Sequence, residues 1–418
     1  MHADDDLRAE AAAGSPRRPI ANTHVHLAPN FSAFETVEDA VRTAALEGVR
    51  VMGASNFHDV RIYARFADEA RAAGIVPLFG LEFISVDDDL QAAGMRVNDP
   101  ANPGRAYLCG KGVDPFAPPT DTTVRLAAEA RRTDVDRMRL MVTRLREVFA
   151  SAGLRTVITS DTIAEEVAEL ARVPRDWVVL QERHVARAFQ EAVFLAVAPG
   201  RRALLLEQAF GGPCAVAIED PVAVQGEIRS RLMKAGRPAF VGESPVSFAD
   251  AWRMVLEMDG IPCYPTLADG VDPVCPWETP ASDLAARVLA RGIHAAELIP
   301  IRNRPAVVDE YVAAFRSAGI IVTAGTEHNT PDLLPLQPRC VDGSLPSEAA
   351  REIFWEGTCV IAAHQHLRSQ GRPGYVDRNG VPNSDFPDAE ARIRWFAALG
   401  ADLIEASATA SATPAVNR

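Results

Sequence analysis

The sequence predicts an α/β fold: a β/α barrel interrupted after its third strand by a large and mostly helical insertion. Short apolar segments alternate with amphipathic segments from residue 20 to residue 84, which is typical of a parallel sheet. The same alternation resumes at residue 260. Between them, residues 121–258 carry apolar side chains at helical spacing. A single barrel with one insertion accounts for all three stretches.

Strand and helix patterns follow one another in each half of this barrel. The first half predicts strands at residues 20–27, 49–54 and 75–84 and helices at residues 36–46 and 61–73. The second half predicts strands at residues 261–267, 294–300 and 320–325 and helices at residues 282–291, 305–317 and 388–399. Residues 348–369 show both helix and strand patterns. Residues 85–116 are rich in Gly, Pro, Asn and Asp, which predicts a long ordered loop.

Domain boundaries follow from these segments and from the composition of the ends. The start has no apolar stretch and the tail is rich in Ser, Ala and Thr, so we expect both ends to be disordered. The resulting division is a disordered start at 1–18, a barrel at 19–84 and 260–400, a loop with a helical insertion at 85–259, and a disordered tail at 401–418.

Composition excludes several classes of function. A net charge of −13 argues against nucleic acid or an anionic membrane surface as a partner. No apolar run reaches the length of about 18 residues that a membrane span needs, and the amino terminus does not resemble a secretory leader. Six scattered cysteines without a Cys-x-x-Cys pair suggest reduced thiols in a cytoplasmic protein. We expect a small anionic substrate and leave a homo-oligomer open.

Two histidines at the end of the first predicted strand are the most informative residues. His24 and His26 are separated by one residue in the run Asn-Thr-His-Val-His-Leu. Alternate residues of a strand point to the same face, so both imidazoles aim at one point. Neutral imidazole is the commonest protein ligand for a transition metal. The pair predicts a metal site, with two polar strand-end residues as the alternative.

Other predicted strands of the barrel also end in polar side chains. Because the carboxyl ends of parallel barrel strands share one rim, these side chains are expected to gather there. Imidazoles and carboxylates from several strands are what a metal-dependent barrel needs. The residues in question are Asn56, His58, Glu82, Tyr264, Asp269, Glu297, Glu327, His328 and Asn329.

Six segments at these strand ends resemble the PHP family, the polymerase-and-histidinol-phosphatase-like metal-dependent phosphoesterases. They read NTHVHL, VRVMGASNFHD, GIVPLFGLEFIS, GIPCYP, GIHAAELIP and GIIVTAGTEHNT. The likeness covers roughly a third to two fifths of the chain and leaves out the helical insertion. It implies a distorted (β/α)7-type barrel and metal-dependent hydrolysis of phosphoesters.

The resemblance transfers some ligand positions and not others. His24, His26 and Glu82 match the family's motifs, whereas Glu327 matches as a longer carboxylate and His328 only with a change of register. Asn56 stands where the family has an aspartate, and Tyr264 replaces a histidine. We therefore expect one or two divalent ions, zinc, manganese or iron, and not a full set of three.

Two residues are candidates for acid–base chemistry at this predicted site. Tyr264 occupies a ligand position without being a ligand, so its hydroxyl is a candidate acid or base, or else a packing group bonded to the backbone. His58, next to the altered second motif, is the other catalytic candidate.

Basic side chains are the candidates for binding an anionic substrate. Arg105 and Lys111 lie in the glycine-rich loop, and Arg229 and Lys234 lie on a predicted helix of the insertion, where a solvated helix face is the alternative. Of 43 basic residues only Lys111 and Lys234 are lysines, which suggests positions that arginine cannot fill or chance survival. His184 is a further candidate if the insertion covers the barrel rim.

Three functions remain open from the residues alone. The first is a metal-dependent hydrolase of a small phosphorylated metabolite, such as a sugar phosphate or nucleotide, which the resemblance favours. The second is a metal-dependent isomerase, lyase or aldolase acting on a sugar or sugar acid. The third is a PHP-like binding module without catalysis, because a fold does not fix a function.

Overall fold

A computed structural model describes residues 18–243, 245–329 and 333–411 of the chain. Within these residues one mixed sheet forms the centre of the fold. Its strands are β1 (Ile20–Val25), β2 (Val49–Phe57), β3 (Val76–Val86), β4 (Arg105–Lys111), β5 (Val246–Ser247), β6 (Ile261–Thr266), β7 (Ala295–Leu298) and β8 (Ile321–Ala324).

The sheet runs in the order β1-β2-β3-β4-β6-β7-β8 and is nearly closed. Neighbouring strands are parallel except at β4, which is antiparallel to both β3 and β6, and the short β5 pairs with the end of β3. Beyond β8, the backbone N–H of Glu327 donates to the carbonyl of His24 at 2.9 Å, and that of His26 donates to the carbonyl of Glu327 at 2.8 Å. These bonds join the last strand to the first at one rim.

Helices cover the outside of this barrel. The first begins with Thr36 as its N-cap, whose side chain accepts a hydrogen bond from the backbone of Asp39. The helices that cover the barrel are α1 (Val37–Leu46), α2 (Tyr63–Ala72), the short α3 (Asp88–Ala92), α9 (Phe248–Glu257), α10 (Ala281–Ala290), α11 (Pro305–Ser317), α12 (Glu348–Ser369) and α13 (Ala389–Ser411).

The insertion is built from α4 (Asp121–Ser151), α5 (Ser160–Ala171), α6 (Glu182–Ala196), α7 (Pro199–Phe210) and α8 (Pro221–Ile228). Buried apolar residues from Met138 to Ala239 form a hydrophobic cluster separate from those of the barrel. Its members include Met141, Leu145, Phe149 and Phe189, which recur on inward helix faces. The α/β barrel with a helical insertion that the sequence predicts is therefore confirmed.

Three local features differ from the sequence-based expectations. The expected loop at 85–116 contains β4, which pairs with β3 in the sheet. The sequence did not indicate this strand, because its apolar centre is short and flanked by turn-forming residues. Residues 348–369 are entirely helical. Helix α13 continues to Ser411 and buries Ile404, so the part of the expected disordered tail from 401 to 411 is helical; residues 412–418 lie outside the described chain.

The barrel therefore extends beyond the boundaries drawn from the sequence. Both β4 and α9 lie within the range 85–259 assigned to the insertion, yet they belong to the barrel, where β4 pairs with β3 and β6. The expected disordered start at 1–18 falls almost wholly outside the described residues. In the described part of the chain, no helix combines the length and apolarity that crossing a bilayer requires.

Candidate metal centre and adjoining pocket

His24, His26 and Glu82 converge at the rim of the barrel. The register between β1 and β2 shifts after Asn22, at the point where β1 reaches the two histidines. The Nε2 atoms of His24 and His26 lie 3.9 Å and 3.3 Å from one oxygen of Glu82, which belongs to β3. One ligand atom from each residue lies within 4.8 Å of the others, which is compact enough to surround a single cation.

Three ring nitrogens of this cluster are buried without hydrogen-bond partners among the described residues. Among the described residues, His24 Nε2 and both ring nitrogens of His26 have none. Buried polar atoms are rarely left so, and a bound cation would satisfy the ring nitrogens that face Glu82. Burial lowers the pKa of His26 to about 4, so its ring is neutral, the form that binds metals. Burial also raises the pKa of Glu82. The residues fit a divalent ion.

Glu297, on β7, orients the first of these histidines from behind. Its Oε2 lies 2.6 Å from His24 Nδ1, and its Oε1 lies 2.6 Å from Lys111 Nζ. Burial alone would raise the pKa of Glu297, but the Lys111 ammonium and the His24 ring lower it to about 2. A carboxylate on the far nitrogen of a ligand histidine is a recurring partner at metal sites. The sequence predicted that Glu297 lies at the rim but indicated no role for it. The only signal was a single acidic residue in an otherwise apolar strand.

Glu327 lies at the rim, but its carboxylate bonds to Arg302 and Asn329 and does not join the cluster around His24. Its backbone has a φ of +61°, and its carboxylate contacts Arg302 and accepts a hydrogen bond from Asn329 Nδ2 at 2.8 Å. It is not among the atoms within 4.8 Å of one another around His24. Burial would raise the pKa of Glu327, but Arg302 and the two rim histidines lower it. Glu327 is therefore a neighbouring anion held by an arginine.

His328 lies outside the cluster, contrary to its predicted role as a ligand. Its Nδ1 lies 2.6 Å from Thr326 Oγ1 and its Nε2 lies 2.6 Å from the carbonyl of Leu334, so both nitrogens are occupied. The ring stacks on Phe34. The physical reason is the turn after β8, in which His328 takes a φ of +50° and its side chain leaves the rim.

Tyr264 also lies away from the cluster. Its neighbour Cys263 faces Lys111 and Glu297 inside the barrel, so the tyrosine points to the opposite face of β6. The hydroxyl donates to Glu278 at 3.0 Å in the outer layer. The alternative of a packing aromatic is therefore closer to the structure than a catalytic acid, although the partner is a carboxylate and not the backbone.

A cavity of about 180 Å³ lies between the rim and the insertion, beside the cluster. Phe31 and Phe57 line it, and both rings contact His26, with ring centroids 6.2 Å and 5.1 Å away. His58 lines the cavity as well, with Nε2 3.3 Å from Asp134. The structure thus brings His58 to a pocket next to the cluster and not to the metal ligands.

Charged residues form the wall of this cavity on the side of the insertion. Lys234 Nζ and Arg137 each lie 2.6 Å from an oxygen of Glu182, and Arg229 lies 3.8 Å from it. Burial would raise the pKa of Glu182, but Lys234 and Arg137 lower it. Arg229 and Lys234, predicted to bind substrate, therefore lie together in the wall.

A second carboxylate, Glu243, joins this wall and contacts two arginines. Arg105 pairs with it directly, and Arg137 lies 3.1 Å from it. Arg105 is thus at the edge of the cavity, as a partner of a wall residue.

The remaining predicted substrate-binding residues lie elsewhere. Lys111 is buried inside the barrel beneath the cluster, because β4 runs against its neighbours and carries that residue away from the rim. His184 caps α6, where its Nδ1 accepts from the backbone of Gln181 at 3.1 Å, and burial lowers its pKa to about 4. Neither lines the cavity.

Fold and site together define a β/α barrel with a candidate metal centre of two histidines and one glutamate. A proposed metal-dependent phosphoesterase from Bifidobacterium adolescentis has a similar structure, with a TM-score of 0.53, 17% identity, and coverage of 81% of this chain and 96% of that chain. An amidohydrolase from Chromobacterium violaceum, with bound sulfate and no metal, gives a TM-score of 0.51, 15% identity, and coverage of 80% and 95%.

These likenesses show a shared fold. They are consistent with the PHP-like barrel expected from the sequence motifs. No protein-family model matches the chain, and the comparison with curated proteins found no match.

Proposed function

We propose that this protein is a metal-dependent hydrolase that uses His24, His26 and Glu82 to hold a divalent ion. The observation that carries the proposal is the convergence of three ligand atoms within 4.8 Å, with buried ring nitrogens that have no protein partner among the described residues. Imidazole and carboxylate ligands suit zinc, manganese or iron. An ion bound there would polarise a substrate oxygen and lower the pKa of a water molecule.

The residues around the centre support an anionic substrate. Three cations (Arg137, Arg229 and Lys234) line the cavity together with three carboxylates (Asp134, Glu182 and Glu243), and Arg105 pairs with Glu243 behind the wall. Arg229 lies 3.8 Å from Glu182, and its buried Nε has no hydrogen-bond partner among the described residues. This guanidinium therefore favours a negatively charged group, because arginine binds phosphate oxygens in a bidentate manner. We therefore propose a phosphoester as the substrate, oriented by Arg229 and Lys234.

The size of the cavity favours a small phosphorylated metabolite. Its volume of about 180 Å³ is close to the roughly 150 Å³ that accommodates a benzene ring in an engineered cavity. A sugar phosphate is therefore a better fit than a complete nucleotide. Phe31 and Phe57 would keep bulk water from the side of His26 that faces the cavity.

Metal analysis followed by a phosphatase assay tests the proposal. Purified protein should contain a divalent ion in stoichiometric amount and release inorganic phosphate from phosphomonoesters of small sugars. Removing the ion with a chelator should abolish release, and adding it back should restore activity. Bound metal without phosphate release from any ester would reject the phosphoesterase, and absence of metal would reject the hydrolase altogether.

A further inference from the structure

Lys111 is a buried cation that neither binds metal nor lines the cavity. Its side chain is only 2% exposed. The ammonium donates to Glu297 at 2.6 Å, to the backbone carbonyl of Thr23 at 3.0 Å and to the hydroxyl of Ser55 at 3.4 Å. A charge inside a protein is costly unless it is paired and hydrogen-bonded, so a lysine retained here needs a reason.

The contacts of Glu297 connect this cation to the metal centre. One oxygen receives the Lys111 ammonium and the hydroxyl of Thr23, the latter at 3.0 Å, while the other lies 2.6 Å from His24 Nδ1. A carboxylate only accepts hydrogen bonds, so Nδ1 must carry the proton of the neutral ring. The lone pair of His24 is then on Nε2, the atom that faces Glu82.

We propose that Lys111 is a positioning residue, which fixes Glu297 and through it the tautomer and direction of the ligand His24. This inference rests on the proposed metal centre. Lys111 holds one oxygen of Glu297 in place, so the other oxygen stays in line with His24 Nδ1. Without the ammonium, Glu297 keeps only the hydroxyl of Thr23 on that oxygen, so its carboxylate and the ring of His24 are less constrained.

The geometry also explains why this position carries a lysine in a chain of arginines. Only two of the 43 basic residues are lysines. The acceptors of Lys111 come from three strands around one small space, which suits a compact ammonium with three rotatable donors. A guanidinium is planar and larger, and its fork suits a flat, bidentate partner.

One consequence concerns the number of ions. His24, Cys109 and Glu297 also present ligand atoms within 4.8 Å of one another. Both oxygens of Glu297 are engaged, however, and His24 Nδ1 is used in the bond to it. This second group is therefore not a metal site while Lys111 holds Glu297 in this orientation, and we expect it to bind no second ion.

Titration with Co²⁺, followed by visible absorption, tests the role of Lys111. The variants are Lys111→Met, Glu297→Gln and the double substitution, with Lys234→Met as the matched control because Lys234 is the other lysine and is half exposed. Loss of a group that orients a metal ligand typically weakens metal binding by about 10- to 100-fold. We expect that loss, with an altered Co²⁺ spectrum, for each single variant. The control should bind Co²⁺ as the wild type does.

The double variant separates positioning from simple packing. If Lys111 and Glu297 act as one unit, the double substitution should weaken Co²⁺ binding no more than the worse single one. Circular dichroism confirms that each variant is folded before titration. If Lys111→Met fails to fold, Thr23→Val, which removes one hydroxyl bond to Glu297, should still weaken binding by about fivefold.

The results distinguish this inference from the proposed function. Folded variants that bind Co²⁺ as tightly as the wild type, or losses that add in the double variant, would overturn the role of Lys111 and leave the hydrolase proposal standing. A wild-type protein that binds no Co²⁺ would overturn both. Wild-type protein that binds two ions per chain would contradict the exclusion of the Cys109 group.

Discussion

Glu297 in the barrel and Glu182 in the insertion are buried carboxylates that pair with basic side chains. Glu297 contacts Lys111 and the ring of His24, so both of its carboxylate oxygens are hydrogen-bonded inside the barrel. Glu182 contacts Arg137 and Lys234, with Arg229 nearby, at the wall of an open cavity. The first arrangement is closed and holds one ring, whereas the second borders a cavity and includes the loosely paired Arg229, whose buried Nε has no hydrogen-bond partner among the described residues. On the proposals made above, similar ion pairs serve orientation in one region and recognition in the other.

The largest effect that would test this contrast is loss of a ligand in the barrel. Glu82→Ala should lower metal affinity by at least about 100-fold, the upper end of what loss of an outer partner costs, because it removes a direct ligand. Metal content after dialysis, measured by atomic emission, checks this. His328→Ala is the control: both of its nitrogens bond elsewhere, so metal content should stay stoichiometric. Loss of metal from His328→Ala would show that His328 is a metal ligand after all.

A smaller effect is expected from the cations of the insertion. Arg229→Ala should raise KM for a phosphorylated substrate by about 10-fold, because one charge-assisted contact is lost, with kcat and metal content nearly unchanged. Steady-state kinetics measures both constants. Arg231→Ala is the matched control, since that arginine lies over Phe210 away from the cavity. Equal effects of the two substitutions would show that the wall does not bind the substrate.

The stability that Glu182 provides should depend on pH. Its pKa is lowered in the folded protein, so its contribution is present above the unfolded value of about 4.3 and lost as the pH falls through the lower folded value. Glu182→Gln should reduce the free energy of unfolding by about 2 kcal/mol at pH 7 and by less at pH 3. Urea denaturation at both pH values measures it. If the difference in unfolding free energy between the wild type and Glu182→Gln grows on acidification, the expected lowering of the Glu182 pKa is contradicted.

The smallest effect is expected at Tyr264, outside both regions. Tyr264→Phe removes the hydroxyl that donates to Glu278 and should cost about 1 kcal/mol of stability, with kcat/KM changed by less than about twofold. Thermal unfolding and kinetics on the same preparation check both expectations. A large fall in kcat without loss of metal would restore Tyr264 as a catalytic group.

Local patterns were sufficient to predict part of the site. Strand parity brings His24 and His26 to one face, and the parallel order of β1 to β3 places Glu82 beside them. Residues whose direction depends on a turn were predicted wrongly, as at His328, where a positive φ turns the side chain away. Lys111 was misplaced for a related reason, since β4 lies in a stretch with the composition of a loop and runs against its neighbours.

Contacts between the barrel and the insertion could not be read from the sequence. Arg105 and Glu243 are separated by 138 residues, and nothing in the local pattern of either indicates the other. The same holds for Lys234 and Glu182, 52 residues apart, which meet only when the insertion packs around its own core. Predictions from periodicity give elements and faces, whereas the meeting of distant charges depends on the packing of whole helices.

The separate hydrophobic core of the insertion has a consequence for how this architecture can change. Helices α4 and α6, which carry the wall residues Arg137 and Glu182, pack on a core separate from those of the barrel, so substitutions along them leave the barrel core in place. On the proposed function, substrate selectivity can therefore change through these helices while the candidate metal centre of the barrel is preserved. Grafting a different helical insertion between β4 and α9 is accordingly a practical route to changing the ligand that this barrel accepts.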